Sequence, residues 1–345
     1  MDNHGENSRT VEEAMTQPDA NQAPVTTEEL PSVESTVPAP QADLSAPVEA
    51  TATAPEEGAA RMSASSMLST AAPAPAPAAA PVAPPALVPA QAPLGDMRVY
   101  VLANQKGGVA KTTTTLNLAV AFAEAGHRVL CIDLDPQANL TVSQGIEDDL
   151  PESMYNVLLG QIPIKQIIQK CEIDVAVSSI DVAGAELALS STIGRERALQ
   201  RALIPVKDDY DFVFIDTPPS LGLLTINAFT AAHRVIVPVQ CEYLSMRGLL
   251  QLENTLEMVR ENLNPNVQIQ GIVPTMVDTR TLHAQEAIEL LEENFQGRVF
   301  RSRINRTVRF AEAPVQGMSI MKYEPKGAAA KCYRDLAQEV MADVQ

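Results

Sequence analysis

The residues whose types and spacing imply chemistry begin at Ala103, in the stretch ANQKGGVAKTTTTLN. Lys111, Thr112 and Thr113 follow two adjacent glycines, Gly107 and Gly108, across Val109 and Ala110. Glycines at such a place let the backbone curl so that successive N–H groups face the oxygens of a phosphate. A helix opening near Lys111 adds its positive dipole end. The Lys111 ammonium then neutralises phosphate charge, and the Thr112 hydroxyl is placed to ligate Mg2+. Yet the usual pattern G-x-x-x-x-G-K-[ST] is broken, because Gln105 and Ala110 stand where it has glycine. A second lysine, Lys106, lies five residues before the first and has no role in that pattern.

Two aspartates strengthen the nucleotide reading. Asp135 closes VLCIDLDPQAN, where Pro136 forces the chain out of an extended run, and Asp216 ends the apolar run DFVFIDT. An apolar strand that terminates in aspartate beside a phosphate loop is the arrangement that holds Mg2+, commonly through water. The four histidines, His4, His127, His233 and His283, have no metal spacing among themselves or with cysteines, and no G-x-S-x-G occurs. Metal-hydrolase and serine-hydrolase chemistry are therefore set aside.

Such residues must be positioned by strands and helices, and the chain supplies them from Met97 onward. Strands are expected at 98–103, 128–135, 173–179, 211–217, 234–240, 268–275 and 298–304, several of them apolar almost throughout. Helical patterns lie between, such as TTTLNLAVAFAEAG, closed by Gly126, and LSMRGLLQLENTLEMVRENLN. The alternation predicts an α/β fold: a mostly parallel, twisted sheet with helices on both faces. Ligands of such sheets bind at the carboxyl ends of the strands, where the lysine loop falls.

The 345 residues divide unevenly. Before Met97 there is no aromatic residue, and 15 of the 26 prolines and 13 acids stand there against two arginines. That composition cannot bury enough apolar surface to offset the entropy of ordering, so residues 1–95 are expected to form a disordered, acidic, Pro/Ala-rich tail and 96–345 the folded domain. Within the tail, RMSASSMLS (61–69) is read as linker rather than as a docking motif. Most of the formal net charge of −18 sits in this segment, so overall acidity says little about partners. The start of the sequence lacks a basic and apolar leader pattern and no apolar run reaches membrane length, so neither secretion nor a membrane span is expected. Cys131, Cys171, Cys241 and Cys332 are widely separated, which predicts reduced, buried thiols and a cytoplasmic protein.

Five segments in order, KGGVAKTTTTLNLA, DLDPQANLT, DTPPSLGLLTINAF, VPVQCEYLSMRGL and VRFAEAPVQG, resemble the ParA family of partition ATPases, in its deviant-Walker class with MinD. The resemblance runs from about 97 to 345 and departs from the common pattern at Ala110, where glycine is usual, and at Thr307, where asparagine is frequent. It implies a P-loop ATPase using ATP and Mg2+. Lys106 becomes the signature lysine that reaches the partner subunit's nucleotide in a sandwich dimer, making dimerisation on ATP part of catalysis. Asp135 matches the aspartate that orients attacking water, so Lys106, Lys111 and Asp135 are the catalytic candidates. The backbone from Lys106 to Thr113, namely Lys106, Gly107, Gly108, Val109, Ala110, Lys111, Thr112 and Thr113, lines the phosphates. Thr112 and Asp216 hold the metal. Arg306 and Pro314 lie in the loop that borders adenine.

Residues 298–309, RVFRSRINRTVR, carry five arginines and no acid. Arg280 and Arg309 match positions where chromosomal members of the family contact DNA, and with Arg303 and Arg306 they form the expected patch for sequence-independent phosphate contact. The resemblance implies a nucleoid-associated protein released from double-stranded DNA when a ParB-type centromere-binding protein stimulates hydrolysis. Positioning of a protein cluster, or a non-catalytic ATP-binding scaffold or repressor, are the alternatives. A MinD-like membrane role is disfavoured by the acidic end, YRDLAQEVMADVQ.

Overall fold

The structure, a computed structural model, describes residues 94–147, 149–241, 245–278 and 280–342. The tail expectation falls outside them, as does the 61–69 stretch, except that Leu94 is buried against the core four residues before the first strand.

Seven strands form one sheet: β1 (Arg98–Leu102), β2 (Val129–Asp133), β3 (Ile168–Lys170), β4 (Asp174–Ala176), β5 (Phe212–Asp216), β6 (Arg234–Gln240) and β7 (Gln268–Thr275), in the order β3-β4-β2-β5-β1-β6-β7. All pairs are parallel except β3 with β4. Every residue of β2 and β5 is buried, so both faces of the sheet are covered there, as the apolar runs required. Among the described residues the helices of seven or more residues are α1 (Lys111–Glu124), α2 (Leu223–Ala231), α3 (Ser245–Asn262), α4 (Leu282–Asn294), α5 (Arg309–Val315) and α6 (Ala328–Ala342).

The alternation places α1 directly after β1, and its inner face packs on β2 and β5. There Phe122 meets the edges of Phe212 and Phe214 at 4.8 and 5.0 Å between ring centroids, and Tyr100 stacks on Phe214 at 5.2 Å. Aromatic rings bury large area in few residues, which suits a chain with so few of them. On its other side α1 packs against α6, where the Thr114 and Tyr333 hydroxyls meet at 3.3 Å. This anchors the first turn of α1 rigidly, and that turn carries Lys111.

Three expectations need correction. Residues 298–304 do not form a strand. They run beside β7 with isolated bridges, Ile272 to Val299 and Val277 to Asn305. Pro274 in β7 has no N–H to continue a ladder. The middle of the segment turns instead to α6, where Glu339 accepts the N–H groups of Arg301 and Ser302 at 2.8 Å each. Conversely, the short antiparallel β3 was not anticipated, being three residues long and largely exposed at the sheet edge. Finally, of the four free thiols only Cys131 is buried. Cys171 is exposed in the turn joining β3 to β4, and Cys241 and Cys332 are half-buried.

Candidate functional site

Four strands, β1, β2, β5 and β6, deliver their carboxyl ends to one place. Lys111 is the first residue of α1 and is buried, with its Nζ 3.5 Å from the Lys106 carbonyl, so the side chain folds back under its own loop. The loop has two residues in the left-handed region, Gly108 at φ 71° and Ala110 at φ 63°. Glycine is therefore favoured at 108, while at 110 an alanine bears a strain that glycine would not. The departure from glycine noted in the sequence at 110 therefore falls on a left-handed residue. Val109 is buried and its carbonyl accepts a hydrogen bond from Thr275 Oγ1 of β7 at 3.1 Å.

Beside Lys111 the two metal candidates are in contact. Thr112 Oγ1 donates to Asp216 Oδ2 at 2.6 Å, and Thr115 Oγ1 reaches the other carboxylate oxygen at 3.3 Å. Asp216 is completely buried, and burial, followed by repulsion from Asp133, pushes its carboxyl well above the usual range, against the Thr112 hydrogen bond and the Lys111 charge. Burial lowers Lys111 in turn, opposed by Asp216 and Asp135. With Asp216 and Asp135 acting on the one ammonium and Asp133 pressing on Asp216, the buried carboxylates leave a site short of positive charge. The donors are hard oxygens, which fits Mg2+ held by one or two protein groups and otherwise by phosphates and water. No cluster of three His, Cys, Asp or Glu suited to a metal occurs among the described residues.

Asp135 lies just beyond the end of β2, nearly buried, its Oδ1 accepting the Gln137 N–H at 3.0 Å. Lys106 is different: it is exposed, and its Nζ donates to Gln240 Oε1 at the end of β6, 3.1 Å away. Its main chain is fixed by Asn104, whose buried amide accepts the Lys106 N–H at 2.9 Å and donates to the Pro238 carbonyl at 2.7 Å. Thus Lys111, Thr112, Asp135 and Asp216 converge, while the Lys106 ammonium stands at the rim.

A family model described as an AAA domain matches residues 97–269. The chain is 45% identical over 250 residues to the sporulation initiation inhibitor protein Soj of Bacillus subtilis, covering 71% of this chain and 99% of that protein. The chain belongs to the ParA/Soj family of partitioning ATPases. It is also 42% identical over 252 residues to the chromosome partitioning protein ParA of Caulobacter vibrioides, covering 71% of this chain and 94% of that one. Among solved structures, one described as cobyrinic acid a,c-diamide synthase from Mycobacterium smegmatis, with bound ATP analog and magnesium, superposes with a TM-score of 0.64 at 40% identity, covering 71% of this chain and 94% of that chain.

Against the ParA/Soj pattern, the arginines show what the fold adds. Four of them meet acids: Arg280 with Asp278 at 2.8 Å, Arg298 with Glu253 at 2.8 Å, Arg303 with Glu292 at 3.3 Å and Arg309 with Glu312 at 2.7 Å. The run is free of acids only along the chain. Arg280 and Arg306 share one neighbourhood, and the hydrogen bonds of Arg280, with the charge of Arg306 beyond it, hold Asp278 well below the usual carboxylate range. Arg303 belongs to another, where its carbonyl accepts from Cys332 Sγ of α6. These pairs are exposed, and such pairs are worth little, so a phosphate can take the place of the acid. Pro314 lies inside α5, and the segment after it is tied to α1 by the Ile320 N–H donating to Asn117 Oδ1 at 2.8 Å.

Several residues of the site were missed in the sequence. Asp133 is one: it is wholly buried and in register with Asp216 across β2 and β5. The signal was present in DLD, since residues two apart on a strand share a face. For Thr275, and for Asn104 toward Pro238, no local signal existed, because these partners are distant in sequence. Among the described residues no helix is long and apolar enough to cross a membrane.

Proposed function

We propose that this ParA/Soj-family chain hydrolyses ATP with Mg2+, pairs on ATP into a sandwich dimer, binds double-stranded DNA without reading sequence, and is released when a ParB-type partner stimulates hydrolysis. Its cargo is a chromosome or plasmid centromere complex, and its place is the cytoplasm, on the nucleoid. The observation that carries the ATPase reading is the Thr112 hydroxyl held 2.6 Å from Asp216 on the helix that the buried Lys111 opens. Support comes from the 40%-identical structure described with ATP analog and magnesium bound.

In this mechanism the loop N–H groups and the N-terminus of α1 cradle the phosphates, with Arg306 and Pro314 bordering the base. Lys111 neutralises the β and γ phosphates, and Thr112 with Asp216 holds the metal. Mg2+, when bound, spreads the charge of the phosphate oxygens. Asp135 orients the attacking water. Lys106 of each copy reaches the other copy's nucleotide and meets charge that grows in the transition state, which ties hydrolysis to pairing. An exposed ammonium at the rim suits that task better than a buried one.

Arg280, Arg303, Arg306 and Arg309 supply DNA phosphate contacts, and a dimer doubles them. With roughly four to six of these contacts made at once, affinity should fall two to three orders of magnitude between 50 and 200 mM salt. The test is DNA retention with ATP across salt concentrations for wild type, Arg280→Ala and Arg309→Ala, with ATP affinity measured alongside. Each variant should weaken binding to any duplex and flatten the salt dependence. Binding like wild type in both, or binding of a single sequence, would overturn the DNA reading.

A further inference from the structure

Both backbone polar groups of Asp135 are tied down, and by residues with no place in the mechanism above. Its N–H donates to Asp133 Oδ1 at 3.1 Å. Its carbonyl accepts Ser178 Oγ, from just beyond the end of β4, at 2.8 Å. Between those two anchors stands Thr141. Its N–H and hydroxyl both donate to Asp133 Oδ2, at 2.9 and 2.8 Å, and its hydroxyl oxygen accepts the Ser178 N–H at 3.0 Å. The four residues close a ring: Asp135 to Asp133, Asp133 to Thr141, Thr141 to Ser178, Ser178 back to Asp135.

Every member of the ring is buried, with Asp133, Thr141 and Ser178 fully so. Thr141 is in the first turn of the short helix Asn139–Val142, whose Ala138 cap offers no side-chain acceptor. Its N–H is one of the unsatisfied donors at a helix start, and Asp133 supplies the acceptor from eight residues upstream. A buried carboxylate is poor support for stability alone, because desolvation offsets what its hydrogen bonds contribute. Its three fixed donors instead determine where the next residue but one can go. With N–H and carbonyl both held, Asp135 has little backbone freedom, and the Gln137 N–H limits its side chain as well.

We infer that Asp133, Thr141 and Ser178 are positioning residues that hold Asp135 at the distance and angle from which it orients water. The inference rests on the reading of Asp135 given above. Misplacing a reacting group by about an ångström lowers rate by about a hundredfold, whereas ground-state binding of nucleotide depends on the lysine loop on the other strand.

The experiment compares ATP turnover, ATP affinity and melting temperature for wild type, Asp135→Ala, Thr141→Val, Thr141→Ser and Ser178→Ala. Thr141→Val keeps shape and removes the hydroxyl, and Thr141→Ser restores it. The expected result is turnover lowered at least tenfold in Thr141→Val and Ser178→Ala, ATP affinity within about threefold of wild type, and recovery of most turnover in Thr141→Ser. Should either variant fold poorly, the other carries the test, and turnover is referred to folded protein. Turnover within twofold of wild type in both, or a matching loss of ATP affinity, overturns the positioning role while Asp135→Ala still reads as inactive. If Asp135→Ala itself turns over normally, the underlying assignment of Asp135 is what fails.

Discussion

Gly145 and Gly317 meet backbone to backbone. A Cβ on Gly317 would stand 3.0 Å from Gly145 Cα and 3.2 Å from its nitrogen, and both residues are left-handed, at φ 73° and 64°. Gly145 follows the helix that holds Thr141, and Gly317 follows Pro314 and the end of α5, so the loop beyond Asp135 and the loop beyond Pro314 touch here without side chains. Gly317→Ala adds a methyl group against main chain and a left-handed alanine, a loss of about 2 kcal/mol. The melting temperature should fall by about 4–8 °C in calorimetry. An unchanged melting temperature would show that the two loops are not in contact.

Ala110 offers the reverse experiment. Ala110→Gly relieves a left-handed residue at the opening of α1, offset in part by the freedom glycine gains in the unfolded chain. A net gain of about 0.5–1 kcal/mol is expected, seen as a rise of about 1–4 °C in melting temperature with ATP affinity unchanged or tighter. A fall in melting temperature would contradict the strained conformation.

The two lysines should separate cleanly. Lys111→Ala removes the buried cation beside Asp135 and Asp216 and should lower ATP affinity by more than a hundredfold in a calorimetric titration. Lys106→Ala should leave monomers that bind ATP with modest loss and fail to pair. Light scattering in an Asp135→Ala background, where hydrolysis is slow, reads the pairing. If Lys106→Ala pairs normally there, its action on a second copy is wrong.

His233 predicts a pH dependence. Its Nδ1 accepts the Val99 N–H at 3.0 Å, and burial, then the charges of Arg98 and Arg234, lowers its pKa from 6.5 to about 4. The unfolded chain therefore takes up a proton before the folded one does. The stability contributed by neutral His233 is complete above pH 6.5 and declines as pH falls toward 4, by at most about 3 kcal/mol. Asp133 and Asp216, whose folded pKa values are raised, act with the opposite sign across this range, so the quantity to measure is the difference from His233→Asn. In urea titrations the wild type should lose ground to the variant steadily from pH 6.5 to 5. A difference independent of pH would mean that His233 is not held neutral.

The sequence disclosed most of what is local. The strands ending in Asp133 and Asp216 were legible because buried parallel strands are apolar throughout, and the lysine loop because glycine and lysine spacing follows phosphate geometry. What escaped was set by distance. Ser178 and Thr275, and Asn104 through Pro238, act on partners that only the strand order brings near, and the Thr141 bond to Asp133 depends on a turn that neither residue type announces. The same holds for Glu253 and Glu292, which with the local partner Glu312 convert an arginine run into exposed pairs. The strain at Ala110 was hidden because a residue's identity does not report its φ.

The segment 298–305 beside β7 has a further consequence. Its N–H and carbonyl groups occupy part of the edge at Ile272, Pro274 and Val277, and Arg298, Arg301 and Arg303 line its outer side with charge. An open edge strand is a template on which another chain can add a strand, and arginine-bearing cover removes that template. At this margin the sheet cannot lengthen from molecule to molecule.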